Sequence, residues 1–235
     1  MHTIKPQILK DDMYKQLKQY CILFKKDIGI WEYTKGMFLG DKYELEDWKG
    51  EIKQGDIWYA GYDSAHFFKA SITVPDEMDG KEIRAKFEVG GEALVKCNGK
   101  YISGCTSRFT IPDRTEVTLG VHKAGEVLTF EIEATVDSMD FCDAAMDGAK
   151  YQECRFAETY IYVADKECEG YYLDISVAFD ALNHITDEHI KSKVYAAVDD
   201  SMHIVDYDFD EAQVRKSIAE ARKLYLKRIA AIDWS

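Results

Sequence analysis

No stretch of the 235-residue chain approaches the ~20 consecutive apolar residues that cross a bilayer. The opening, MHTIKPQILKDDMY, has no continuous apolar run after its first charges, so it does not read as a secretory signal peptide. No Asn-x-Ser/Thr acceptor occurs. None of the six cysteines (Cys21, Cys97, Cys105, Cys142, Cys154 and Cys168) forms a CxxC pair, and a chain of this length needs no covalent staples. They are expected to be reduced thiols of a cytoplasmic protein. GxSxG, HExxH, P-loop and GxGxxG motifs are all missing, and no cysteine has a histidine partner in a recognised order. Basic surplus is missing too. The 30 Lys and Arg against 43 Asp and Glu give a net charge of −13, which argues against nucleic acid or an anionic membrane as partner. A neutral ligand such as a sugar remains compatible. What is present is an ordinary globular balance, 46% hydrophobic and 31% charged, without repeats or low-complexity segments.

Three zones are expected. Residues 1–50 open with a helix whose apolar face is Leu9, Met13, Leu17, Tyr20, Cys21 and Phe24. The aromatic stretch from Gly29 to Gly50 then reads as an arm wrapped over the next zone. Residues 51–168 alternate apolar and polar side chains in runs of period two: HFFKASITV ending at Pro75, KEIRAKFEV, TEVTLGV, VLTFEIEAT and AETYIYVAD. Between the second and third runs, GGEALVKCNGKYISG reads as a hairpin with a type I′ turn at Asn98-Gly99. Short strands with regularly spaced turns predict a β-sandwich. Residues 169–235 turn helical, with Thr186 expected as one N-cap and Asp208 with Glu211 as a capping box. YYLDISVAFDALN suits a helix or a strand equally. The fold class expected is therefore mainly β with flanking helices.

Candidate chemistry is sparse. Glycoside cleavage needs two carboxylates held about 5–9 Å apart, and spacing along a chain so rich in acidic residues cannot show that. Asp137, Asp140, Asp143 and Asp147 lack the pattern of a calcium loop and read as a solvated acidic loop. His184, Asp187 and His189 could hold a metal but suit the polar start of a helix better. The aromatic cluster Trp58, Tyr59, Tyr62, His66 and Phe67 could stack on sugars, with Glu92 and Asn98 bonding hydroxyls. That makes Trp58, His66, Glu92 and Asn98 the candidate carbohydrate-binding residues. The stronger expectation is that the large aromatics are core and Asn98 a turn residue.

HFFKASITVPDEMDGKEIRAKFEVGGEALVKCNGKYISG, 66–104, resembles the N-terminal domain of glycoside hydrolase family 38 α-mannosidases. The matching positions are Val74-Pro75, Gly80, Gly91-Glu92-Ala93-Leu94-Val95, Asn98-Gly99 and Gly104. ECRFAETYIYVADKECEGYYLDISVAFDAL, 153–182, resembles a second segment of that family through Arg155, Phe156, Ala157, Glu158, Asp165 and Asp174. The resemblance implies a jelly-roll, galactose-binding-like β-sandwich with an N-terminal helix and a C-terminal helical segment. It implies that the full enzyme hydrolyses terminal α-mannosides with retention. The family's His-x-Asp zinc motif does not occur here, and Cys105-Thr106-Ser107 stands where the family continues with an acidic residue and a histidine. The chain is thus expected to be a non-catalytic N-terminal region, inactive alone, ending near Asp233-Trp234-Ser235 where the catalytic domain would begin. The divalent metal, zinc, would sit in that missing domain and none in this chain. Expected partners are the catalytic domain of the same polypeptide, another copy, or carbohydrate. A free-standing carbohydrate-binding module is the alternative.

Overall fold

A computed structural model describes residues 6–47, 49–61, 64–106, 114–136 and 152–234. The chain forms two compact units, Phe24–Val163 and a second assembled from Met1–Leu23 with Ala164–Ser235. This partition differs from the three zones drawn along the sequence, because the first helix joins the last three rather than the strands that follow it. The call on the acidic loop, together with Trp48, Tyr62, Ser107 and Cys142, lies outside the described residues.

The first unit is a sandwich of two main sheets. One has the order β1 (Ile22–Asp27), β13 (Glu158–Ala164), β7 (Lys81–Glu88), β10 (Glu116–His122). The other has the order β3 (Tyr43–Leu45), β2 (Trp31–Phe38), β6 (Ser64–Thr73), β11 (Val127–Thr135), β8 (Glu92–Cys97), β9 (Lys100–Thr106), with β4 (Gly50–Ile52) also on β2. A small third sheet pairs β5 (Ile57–Ala60) with β12 (Gln152–Arg155). The period-two runs become strands because alternate side chains reach one core. Ile83, Ala85 and Phe87 of β7 meet Phe68, Phe130 and Ile132 of the opposite sheet. Phe87 and Phe130 lie edge to face at 5.0 Å. Trp31 is fully buried among Phe87, Phe130 and Phe156, and its indole N–H donates to Thr159 Oγ1 at 3.0 Å.

Trp31 also corrects the expected arm. Gly29–Gly50 supplies β2 and β3, and β2 is an interior strand hydrogen-bonded to β6. Trp31 and Tyr33 point inward while Glu32 points out, a strand pattern obscured by Phe38 and Tyr43 on the exposed side. The Asn98-Gly99 hairpin forms as expected: the two residues have φ of +49° and +76°. At Gly91 a Cβ would stand 2.3 Å from the Thr135 carbonyl oxygen, at a φ of +67°. Only glycine lets β11 approach there.

The second unit is helical: α1 (Pro6–Gln19), α2 (Lys166–His184), α3 (Glu188–Met202) and α4 (Glu211–Ala230). The segment that suited helix or strand lies wholly in α2, where Tyr171, Ile175 and Ala178 face the core at helical spacing. The first helix stops at Gln19, short of the expected Phe24, because Ile22–Asp27 enters a sheet beside β13. The caps also differ by a residue or two. Asp187, not Thr186, caps α3, accepting from His189 and Ile190 N–H. Asp210, not Asp208, caps α4. A carboxylate immediately before the first turn reaches the free N–H groups better. The long apolar faces of these helices cover one another around Leu17, Tyr171, Val198, Ile218 and Ala221.

Candidate functional site

The outer face of the larger sheet carries a concavity of about 260 Å³. Its floor follows from strand register. Glu32 on β2 pairs with Lys69 on β6, then Glu131 on β11, Lys96 on β8 and Tyr101 on β9. At about 4.8 Å per strand, this row of alternating charge runs roughly 19 Å across five strands. Lys69 Nζ and Glu131 are 3.4 Å apart, and Lys96 Nζ lies 4.6 Å from the Tyr101 ring centre. The neighbouring row is Thr34, Phe67, Glu133 and Leu94, facing Gly104. Tyr43 ties the two chemistries together. Its hydroxyl donates to Glu133 Oε1 at 2.5 Å and its ring packs edge-on against Phe67 at 5.2 Å. That carboxylate pushes the Tyr43 hydroxyl up to about 12, so it remains a donor at neutral pH.

Of the four candidate carbohydrate-binding residues, Trp58 and His66 come together, but in the core, while Glu92 and Asn98 stand apart from them and from each other. Trp58 is 1% exposed and donates its indole N–H to the Val89 carbonyl at 2.7 Å. His66 is 0% exposed, 4.4 Å from the Trp58 ring, with Nδ1 2.8 Å from Tyr33 Oη and Nε2 3.3 Å from Ser64 Oγ. Burial and the nearby Lys35 charge lower its pKa to about 4, so the ring is neutral. Neither ring offers a face to a sugar. Asn98 Oδ1 accepts from Thr129 N–H at 2.9 Å and so ties the turn to β11. Glu92 is exposed at the far end of β8, six residues from Asn98 and about 20 Å away along an extended strand. Phe67, named in the aromatic cluster, does line the groove; the groove residues missed by sequence reading had one available signal, since the outward positions of GGEALVKC and VLTFEIEAT carry Leu94, Lys96, Glu131 and Glu133. Their lateral alignment exists only once the register is set.

Other chemistry finds little support among the described residues. No group of three or more His, Cys, Asp and Glu could hold a metal ion. The zinc implied by the family resemblance therefore has no fitting donor set there. Asp187 is occupied as a cap, leaving His184 and His189 without a shared ligand role. Burial pushes Cys21 and Cys168 up to about 12 and raises Cys97 and Cys105, so these thiols are poor nucleophiles. Cys105 is buried on β9.

Residues 42–156 match the family described as alpha-mannosidase, jelly roll domain. The match supports the resemblance read from the sequence, to an N-terminal region of an α-mannosidase-like protein. The residues that carry the resemblance to the α-mannosidases do structural work. Phe156 fills the core against Trp31, and Ala157 N–H donates to the Glu88 carbonyl at 2.7 Å. Glu158 pairs with Lys86 at 2.6 Å, Asp165 caps α2 and binds Arg215 at 2.8 Å, and Asp174 binds Arg222 at 3.0 Å. No curated protein matches the chain. Among solved structures it is similar to a β-glucuronidase of Faecalibacterium prausnitzii, at 15% identity over 61% of this chain and 32% of that one, with a TM-score of 0.40. A β-glucuronidase of Ruminococcus gnavus gives 12% identity over 62% and 30%, with a TM-score of 0.41. An α-xylosidase of Xanthomonas citri gives 14% over 60% and 17%, with a TM-score of 0.31. The chain spans about a third or less of those proteins, and likenesses this distant carry no functional argument. Among the described residues, no helix is long and apolar enough to cross a membrane.

Proposed function

We propose that this chain is the accessory N-terminal region of a cytoplasmic α-mannosidase, packing on a catalytic domain of the same polypeptide and inactive alone. The match of residues 42–156 to the α-mannosidase jelly-roll family carries this reading. The structural employment of Glu158, Asp165 and Asp174 agrees with it, since the most family-like acidic residues are already committed to ion pairs and caps. Retaining hydrolysis of terminal α-mannosides, with its divalent metal, then belongs to the catalytic domain. The test is turnover of an aryl α-mannoside with added zinc, by the 235 residues alone and by a polypeptide in which they precede a family 38 catalytic domain. Turnover only by the longer protein supports the reading. Turnover by these residues alone overturns it.

A further inference from the structure

The groove on the larger sheet is not required by a purely packing role, and its composition specifies a kind of ligand. Three carboxylates, Glu32, Glu131 and Glu133, and three ammonium groups, Lys49, Lys69 and Lys96, line it, so its formal charge is zero on a chain of net charge −13. A locally neutral face disfavours a free anion or cation as ligand, because either would leave one set of lining charges opposed. Carboxylate acceptors and ammonium donors alternate at strand spacing along the floor. A polyhydroxylated ring, each of whose hydroxyls both donates and accepts, matches such an alternation. Beside the polar row lie Phe67, half-buried, and Leu94 and Tyr101, which are 48% and 64% exposed. They offer apolar surface to the C–H face of the same ring. The site is partly organised beforehand, because Tyr43 holds both Glu133 and Phe67 in place.

We propose that this groove binds a neutral saccharide, stacked on Tyr101 and Leu94 with its hydroxyls on Glu131, Glu133 and Lys96. The site shares no residue with the buried Trp58 and His66, and the proposal does not depend on the α-mannosidase reading. Titration of the 235-residue protein with methyl α-mannopyranoside and methyl β-glucopyranoside, followed by amide chemical shifts, is the test. Saturable shifts centred on β8, β9 and β11 are expected with at least one of them. Mannose 6-phosphate and glucosamine should bind several-fold more weakly than their neutral counterparts. Tyr101→Ala should weaken binding about tenfold, and Glu133→Gln several-fold. Tyr59→Ala, at an exposed residue that does not line the groove, should leave it unchanged. Three results overturn the proposal: no saturation by either neutral sugar, unchanged affinity in Tyr101→Ala, or concentration-dependent dimerisation that buries the groove and is abolished by Tyr101→Ala. Absence of sugar binding would leave turnover by the longer polypeptide untouched, so the two readings fail separately.

Discussion

Replacing His66 by Gln should flatten the acid side of the protein's stability profile. The imidazole is 0% exposed, sits against Trp58 and Tyr33, and has Lys35 as the charge that acts on it. Protonation would therefore bury a cation beside a cation. In the folded protein the ring titrates at about 4, against 6.5 ordinarily. Between those values the unfolded chain binds a proton that the native state refuses, so stability is fully present above about pH 6.5 and falls as pH drops toward 4. At ~1.4 kcal/mol for each pH unit of difference, the loss from about pH 7 to about pH 4.5 is roughly 2.5 kcal/mol. Urea unfolding followed by tryptophan fluorescence at both pH values measures it, since Trp58 touches the ring. Subtracting the change in His66→Gln cancels the other titrating groups. Parallel pH dependences for the two proteins would refute the reasoning, and would mean that the ring finds a partner or water when it protonates.

Arg215→Met should cost the helical unit about 3–5 kcal/mol, because it strands the Asp165 carboxylate and the Tyr20 and Ile22 carbonyls that the guanidinium now satisfies; urea unfolding at 222 nm reads this. Gly91→Ala should cost at least ~2 kcal/mol, seen as a lower urea midpoint, since the new Cβ meets the Thr135 carbonyl at a positive φ. Cys21 and Cys168 should alkylate roughly a thousandfold more slowly than a free cysteine at about pH 8, and denaturant should restore the ordinary rate. Fast labelling of the native protein would contradict their burial.

Local pattern was enough for most of the sandwich. VLTFEIEAT occupies β11 residue for residue, and Asn98-Gly99 makes its turn, because a period of two and a positive-φ dipeptide are properties of a few adjacent residues. The motif residues pointed to the α-mannosidase jelly roll for a related reason. In this structure Gly91 is constrained by a close approach to the Thr135 carbonyl and Asp165 by its cap of α2, both set by residues near them in sequence or strand register. The sequence by itself thus determined the β-rich architecture, the helical C-terminal segment and the resemblance to the α-mannosidase jelly roll. Tertiary structure decided that β2 is an interior strand, that α1 joins the last three helices, and that Trp58 and His66 lie inside. It alone decided the groove, since Glu32, Lys69, Glu131, Lys96 and Tyr101 come from five separate strands. Their adjacency is a consequence of long-range register, which no short window of sequence contains.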